Sequence, residues 1–392
     1  MPKGTPCLWE KLKKESRPIV IYGMGNGADK LIAELDAAGI PYADIFASDG
    51  FVRGQSFHGR TVLSFGDIQR KYKDFVILLA FGTSRSEVLY MIYEMADRYP
   101  LFMPDLPVAG NTVWNTSFEH EYTEELLAAR SIFADEESLH LFDAVCAYRH
   151  SGDITFLRQA PVGADTPLSF IPYRTIVTAV DAGAYRGETV ASLKDSCPNL
   201  IACVAIEPDR RNYAKLLNYK EKEKRLTVYP LHAAAWDKTG RAAFHGSGNR
   251  NASLVGHSHQ FAKEEVDTLA LDCLLGGKDA EEVNLDTSVL SVLHDFRAQA
   301  TGKVDYIKYD VEGAEAEALL GSSNLIADSR PILAVSVYHR TEDLFRLPLL
   351  VQKLCPEYDF YLVRKECLPA WDLMLYAVPK ERQIKERSTC RA

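Results

Sequence analysis

No Cys-x-x-Cys pair and no zinc-like grouping occurs among the eight cysteines of this sequence, at positions 7, 146, 197, 203, 273, 355, 367 and 390. Structural zinc modules and dithiol redox motifs are therefore not expected, and the thiols read as small buried apolar residues of a reducing compartment. No apolar run reaches the length that spans a bilayer, and charged Lys11-Leu-Lys-Lys-Glu15 stands where a secretory signal would need an apolar core. The expectation is a cytoplasmic protein without membrane insertion. An excess of positive charge is lacking too: 45 basic against 54 acidic residues leave a formal charge of −9, which gives no electrostatic reason to hold nucleic acid. Nor is there a glycine-serine or proline-rich linker, so neighbouring units should pack against each other.

What is present is an ordinary globular composition, with 47% apolar and 25% charged residues over 392 positions. That length exceeds one hydrophobic core, and two units are the working count. The chain divides into an N-terminal segment (1–16), a Rossmann-like domain (17–109), a helical connector (110–174), a second α/β domain (175–379) and a charged tail (380–392). The connector is helical because Thr123–Arg130 and Glu137–Arg149 carry apolar residues at helical spacing, with capping chemistry between them.

The first domain opens on the apolar strand Ile19-Val-Ile-Tyr22, the turn Gly23-Met-Gly-Asn-Gly27 and a helical pattern bearing Leu31, Ile32 and Leu35. Gly23, Gly25 and Gly27 permit a tight turn before a helix N-terminus, and Asp49 stands where an acid would meet a ribose hydroxyl. The dinucleotide fingerprint wants its third glycine at position 28, which is Ala28. Tyr22–Gly27 and Ser48-Asp-Gly50 resemble the small nucleotide-sugar-binding domains at the front of some sugar acyltransferases. A second nucleotide site at Gly23, Gly25, Gly27 and Asp49, or a scaffold that positions its neighbour, are both open.

In the second domain Thr175-Ile-Val-Thr-Ala-Val180 is a buried-strand pattern that ends in Asp181-Ala-Gly-Ala-Tyr-Arg-Gly187 and then a helix. Gly183, Ala184 and Gly187 let the backbone pass close to a ligand, and Asp181 can accept from an ammonium group. Leu200–Ile206 is a further strand ending in Glu207-Pro208, whose carboxylate can take two ribose hydroxyls. Ala233-Ala-Ala-Trp-Asp237 offers room for an adenine at Ala234, with Trp236 as its cover or as plain core. A nicotinamide enzyme would use the same devices.

Together with Val266–Asp272 and Val304-Asp-Tyr-Ile-Lys-Tyr-Asp-Val-Glu-Gly-Ala-Glu315, these motifs resemble the FkbM family of methyltransferases over about 200 residues. The resemblance implies a class I methyltransferase fold, a mostly parallel seven-stranded sheet with an antiparallel edge strand. It also implies S-adenosyl-L-methionine as cofactor and O-methylation of a sugar, polyketide or related hydroxyl, with a small-molecule or glycan acceptor. Asp310 or Glu312 is expected to orient or deprotonate the acceptor, or to fix the sulfonium end of the cofactor, and Lys308 to pair with Asp310. Glu315 and Glu317 read as helix capping. His339, after the strand Ile332–Val337, is a candidate base, given an imidazole pKa near neutrality.

Asn251 and Ser253, in the polar segment between strands, are expected acceptor contacts. No carboxylate completes a ligand pattern around His245, His257 and His259, so no metal is expected. Oligomeric state is open. The competing readings are an NAD-linked oxidoreductase using the Gly23 loop and a non-catalytic nucleotide-binding module.

Overall fold

The structure is a computed structural model that describes residues 6–163, 168–244, 264–276, 287–300 and 302–383. Asn251, Ser253, His245, His257 and His259 lie outside the described residues. Two α/β sheets follow one another along the chain. The first is five-stranded and wholly parallel, in the order Leu63–Ser64, Asp44–Ala47, Ile19–Tyr22, Val76–Leu79, Leu101–Phe102. Its central strands are buried along their length, as expected of a sheet covered by helices on both faces. The helix Asn26–Ala37 buries Ala28, Leu31, Ile32 and Leu35, the stripe the sequence spacing implies.

The second sheet has seven strands in the order Thr227–Leu231, Ala202–Ile206, Thr178–Ala182, Tyr306–Tyr309, Ile332–Ser336, Leu373–Pro379, Tyr358–Arg364. All are parallel except Leu373–Pro379, which runs against both of its neighbours. The reversed strand therefore lies one place in from the edge, and Tyr358–Arg364 is the edge itself. The chain leaves the sheet after Ile332–Ser336 through a helix, Asp343–Leu354, returns as the outer strand Tyr358–Arg364, and then folds inward to the antiparallel strand Leu373–Pro379.

Strand order reverses between Thr178–Ala182 and Tyr306–Tyr309, where connections leave in opposite directions and open a crevice at the carboxyl ends. Asp181 and Asp310 both stand at that end. The pairing register sets Lys308 directly beside Asp181. Ala233–Ala235, expected from the sequence to leave room for an adenine, is a buried strand of a separate three-stranded sheet with Glu264–Leu269 and Gly240–Phe244. Three alanines carry little strand preference of their own, so only the distant partner makes this strand.

Helices Thr116–Glu121, Thr123–Ser131, Glu136–Ser151 and Thr155–Gln159 bridge the two sheets. One continuous apolar core runs from Val20 and Leu79 through Trp114, Phe118 and Phe345 to Leu333. Polar ties reinforce it: buried Arg149 reaches the Thr341 carbonyl at 2.8 Å and Asp105 at 3.0 Å. Among the described residues no helix is long and apolar enough to cross a membrane, and the described cysteines are buried and form no disulfide with one another.

Candidate active site

The glycine loop of the second sheet is built by backbone. Gly183 and Ala184 both donate to the Ile206 carbonyl, at 3.0 and 2.9 Å, which folds the loop over the neighbouring strand. Gly183 lies at φ +85° and Gly187 at φ +97°, left-handed conformations that favour glycine. A Cβ on Gly183 would stand 1.9 Å from the Asp310 carbonyl oxygen, so the two strand ends meet only because that atom is missing. Glu207 accepts from the Tyr185 amide at 2.8 Å and the Asp209 amide at 2.9 Å. Burial pushes its carboxyl up to about 7 against the pull of those two amides.

Asp181 is completely buried, and neither of its carboxylate oxygens has a hydrogen-bond partner. Lys308 approaches at 3.5 Å, yet burial outweighs that cation and lifts the carboxyl up to about 6. An orphaned buried carboxylate at the mouth of a crevice is costly unless a donor arrives. The site thus has a place for a cationic donor, with Glu207 one strand away to accept hydroxyls. Pro208 follows Glu207 and receives a contact from the His232 ring at its carbonyl. Ala234 is buried within the small sheet, and the Trp236 amide donates to the Leu269 carbonyl at 3.0 Å. Trp236 itself is half-buried, and a Cβ on Gly321 would stand 2.0 Å from its carbonyl oxygen.

Opposite that loop, Asp310 collects partners from two strands. Its Oδ2 accepts from Lys308 at 3.1 Å, its Oδ1 from the Ser336 hydroxyl at 2.8 Å and the Tyr338 hydroxyl at 3.4 Å. Burial opposes its charge, but Lys308 and His339 hold the carboxyl well below the usual range. The next turn is held open by a third acid. Glu312 lies at φ +54°, unusual for a residue with a side chain, and Gly313 at φ +97°. Buried Glu315 accepts from the amides on either side, Val311 at 2.8 Å and Gly313 at 3.1 Å, while Arg340 donates to the Gly313 carbonyl at 2.9 Å.

Glu315 therefore does more than cap its helix. It stands 2.9 Å from His339 Nδ1, and His339 Nε2 faces Asp310 at 3.6 Å and Glu312 at 3.5 Å. Burial disfavours charge on this ring, but Glu315, then Glu312 and Asp310, push the imidazole up to about 10. The neutral base expected from the sequence does not fit that setting. Asp343 is lifted to about 7 by burial and by Glu315, while accepting from the Arg340 amide at 2.8 Å.

Asp310, Glu312 and His339, proposed from sequence, are thus brought together, and Asp181 joins them through Lys308. Ser336, Arg340 and Asp343 were not anticipated. Ser336 and Arg340 lie at the end of the Ile332 strand like His339, and that shared place is the only signal that points to them. The glycine loop of the first sheet is different in kind. Gly25 has open space where a Cβ would be, whereas a Cβ on Gly27 would stand 2.2 Å from the Ala80 carbonyl oxygen. Gly27 serves close helix-to-strand packing, and Asp49 is exposed nearby.

Residues 181–365 match the family model of the methyltransferase FkbM domain. The fold is similar to methyltransferase FkbM from Methylobacillus flagellatus KT, at TM-score 0.61 and 20% identity, over 93% of this chain and 90% of that one. Both sheets and the helical bridge are thus part of a known architecture. Fibrillarin from Aeropyrum pernix, in complex with natively bound S-adenosyl-L-methionine, is similar over 53% of this chain and 69% of that one, at 12% identity and TM-score 0.30. A methyltransferase of Podospora anserina with bound SAH is similar over 76% and 97%, at 11% identity and TM-score 0.28. No curated protein matches the chain by sequence.

Proposed function

We propose that this chain, whose residues 181–365 match the model of the methyltransferase FkbM domain, moves a methyl group from S-adenosylmethionine to a hydroxyl of a sugar, glycan or other small molecule. One observation carries the cofactor reading: Asp181 is a fully buried carboxylate that Lys308, 3.5 Å away and shared with Asp310, leaves without a close hydrogen bond, beside a glycine loop that leaves the backbone bare. The amino-acid end of the cofactor supplies an ammonium group that suits Asp181, and its ribose hydroxyls suit Glu207, whose oxygens keep lone pairs beyond the two amides they accept. The bound cofactor supplies an activated methyl on a sulfonium.

The chain's own residues then position and deprotonate. Methyl transfer is an in-line displacement that depends mainly on alignment. Asp310, held as an anion by Lys308, sets charge at the strand end. Glu312 keeps a quarter of its side chain accessible and is the base that receives the acceptor proton in this reading. His339 and Glu315 hold the turn that carries Glu312. Asn251 and Ser253 remain proposed acceptor contacts. For the first sheet we propose a scaffolding role, since Gly27 packs against the Ala80 carbonyl at the end of the neighbouring strand Val76–Leu79.

Calorimetry with S-adenosylhomocysteine tests the reading. The wild-type chain is expected to bind, and Asp181→Ala to bind about 10- to 100-fold more weakly, the size of a charge-assisted hydrogen bond. A wild-type chain that gives no heat would sink the cofactor assignment.

The same titration carries a pH signature. Asp181 and Glu207 are lifted to about 6 and about 7, and each must lose its proton before accepting from the ligand. Ligand binding therefore favours the ionised forms. Affinity is expected to rise between pH 5.5 and 8 by at least about tenfold and then level off. Glu207→Gln should flatten the upper part of that rise; an unchanged profile in the variant would remove Glu207 from the ligand contacts.

A further inference from the structure

We propose that Asp310, Glu315 and one ring nitrogen of His339 form a binding site for a divalent metal ion of the manganese type. One donor atom from each lies within 4.8 Å of the other two, and the ion takes the place of the proton that these carboxylates hold on the ring in its absence. Histidine spacing in the sequence gives no sign of a metal, whereas these donors come from a strand end, a helix start and the end of another strand.

The geometry goes beyond an acidic cluster. His339 is completely buried, and neither ring nitrogen has a hydrogen-bond partner, although Glu315 Oε1 is 2.9 Å from Nδ1. The ring N–H does not aim at that oxygen. Two ligands at right angles on one ion, with bonds of about 2.1 Å, stand about 3 Å apart with neither aimed at the other. A close, misdirected nitrogen–oxygen pair is that arrangement. The backbone that carries the ring is also fixed, since the Ala109 amide donates to the His339 carbonyl at 2.8 Å.

Charge points the same way. Asp310, Glu312, Glu315 and Asp343 gather around a single imidazole, while Lys308 is shared between Asp181 and Asp310 and Arg340 is turned to the Gly313 carbonyl. Carboxylate oxygens with one imidazole nitrogen are a donor set for Mn²⁺ rather than for thiolate-seeking ions. Glu312, 3.5 Å from His339 Nε2, stands beside the trio.

The catalytic meaning of this site rests on the methyl-transfer reading. The ion would hold the acceptor oxygen and lower the pKa of its hydroxyl. The O–H bond breaks with its proton going to the Glu312 carboxylate, the O–C bond forms, and the C–S bond breaks with its electron pair staying on sulfur. Nothing is oxidised or reduced.

The test is a titration of the full chain with MnCl₂, followed by loss of the paramagnetic resonance signal of the free ion, with S-adenosylhomocysteine calorimetry in parallel. One Mn²⁺ per chain is expected, with Kd raised at least tenfold by His339→Ala and by Asp310→Asn. Should His339→Ala fail to fold, Asp310→Asn carries the same readout at a partly accessible side chain. Wild-type chain that takes up no Mn²⁺ while binding S-adenosylhomocysteine overturns the metal site and leaves the methyltransferase reading standing. Uptake unchanged in both variants places the ion elsewhere and also overturns the site. Uptake that both variants weaken, without S-adenosylhomocysteine binding, supports the site and overturns the cofactor reading instead.

Discussion

Asp310→Asn is expected to lower kcat by about 10²- to 10³-fold, the loss seen when a charge aimed at a reacting centre is removed. The amide keeps the shape of the side chain and the accepting oxygen for Ser336, but it takes away the anion that Lys308 and His339 face. An NH₂ group turned toward Lys308 opposes two donors, and one turned toward Ser336 reverses that bond, with the hydroxyl now accepting. Binding of S-adenosylhomocysteine should change less, within about tenfold, because Asp181 and Glu207 are untouched. Some loss is nonetheless expected: Lys308, freed from Asp310, turns to Asp181 and competes with the incoming ammonium. The informative result is the split, kcat falling far more than affinity. Near wild-type turnover would remove Asp310 from the reaction, and an equal loss of both would make it a structural residue of the cofactor loop.

That split also shows which parts of the site were legible in the sequence. Asp181, Gly183 and Glu207 each sit at the end of an apolar strand pattern, and a parallel sheet puts its crevice at such ends. Asp310 and His339 were found by the same logic. The partnership of Glu315 with His339 was not, because it depends on a left-handed turn at Glu312 and Gly313 that no periodicity announces. Glu315 read as a capping acid since its position in the helix allows nothing sharper. Asp343 and Arg340 enter through the same convergence. The raised imidazole is a consequence of three carboxylates brought in by tertiary packing, whereas the sequence offered only the unperturbed value. The strand at Ala233–Ala235 was hidden for another reason: its partner strand begins about 30 residues later, and pairing, not composition, makes it a strand.

Gly183→Ala should be the most damaging single methyl in the molecule, and Gly25→Ala among the least. At Gly183 the new Cβ would lie 1.9 Å from a backbone oxygen of Asp310, which no side-chain rotation can relieve, and the residue stands at φ +85°. Strain of about 1–2 kcal/mol for a side chain in the left-handed region adds to the clash. A total on the order of 3–5 kcal/mol is expected, read as a lowered midpoint in urea unfolding. The loop must move to make room, so S-adenosylhomocysteine binding should disappear even in the folded fraction. Gly25 has extended backbone and no atom near the added methyl, so its alanine variant should stay within about 0.5 kcal/mol of wild type. Methyltransferase activity in Gly25→Ala should be unchanged if the first sheet is scaffold alone. A variant that folds normally but loses turnover would show that a ligand does approach that open glycine, and would return the first loop to the list of working sites.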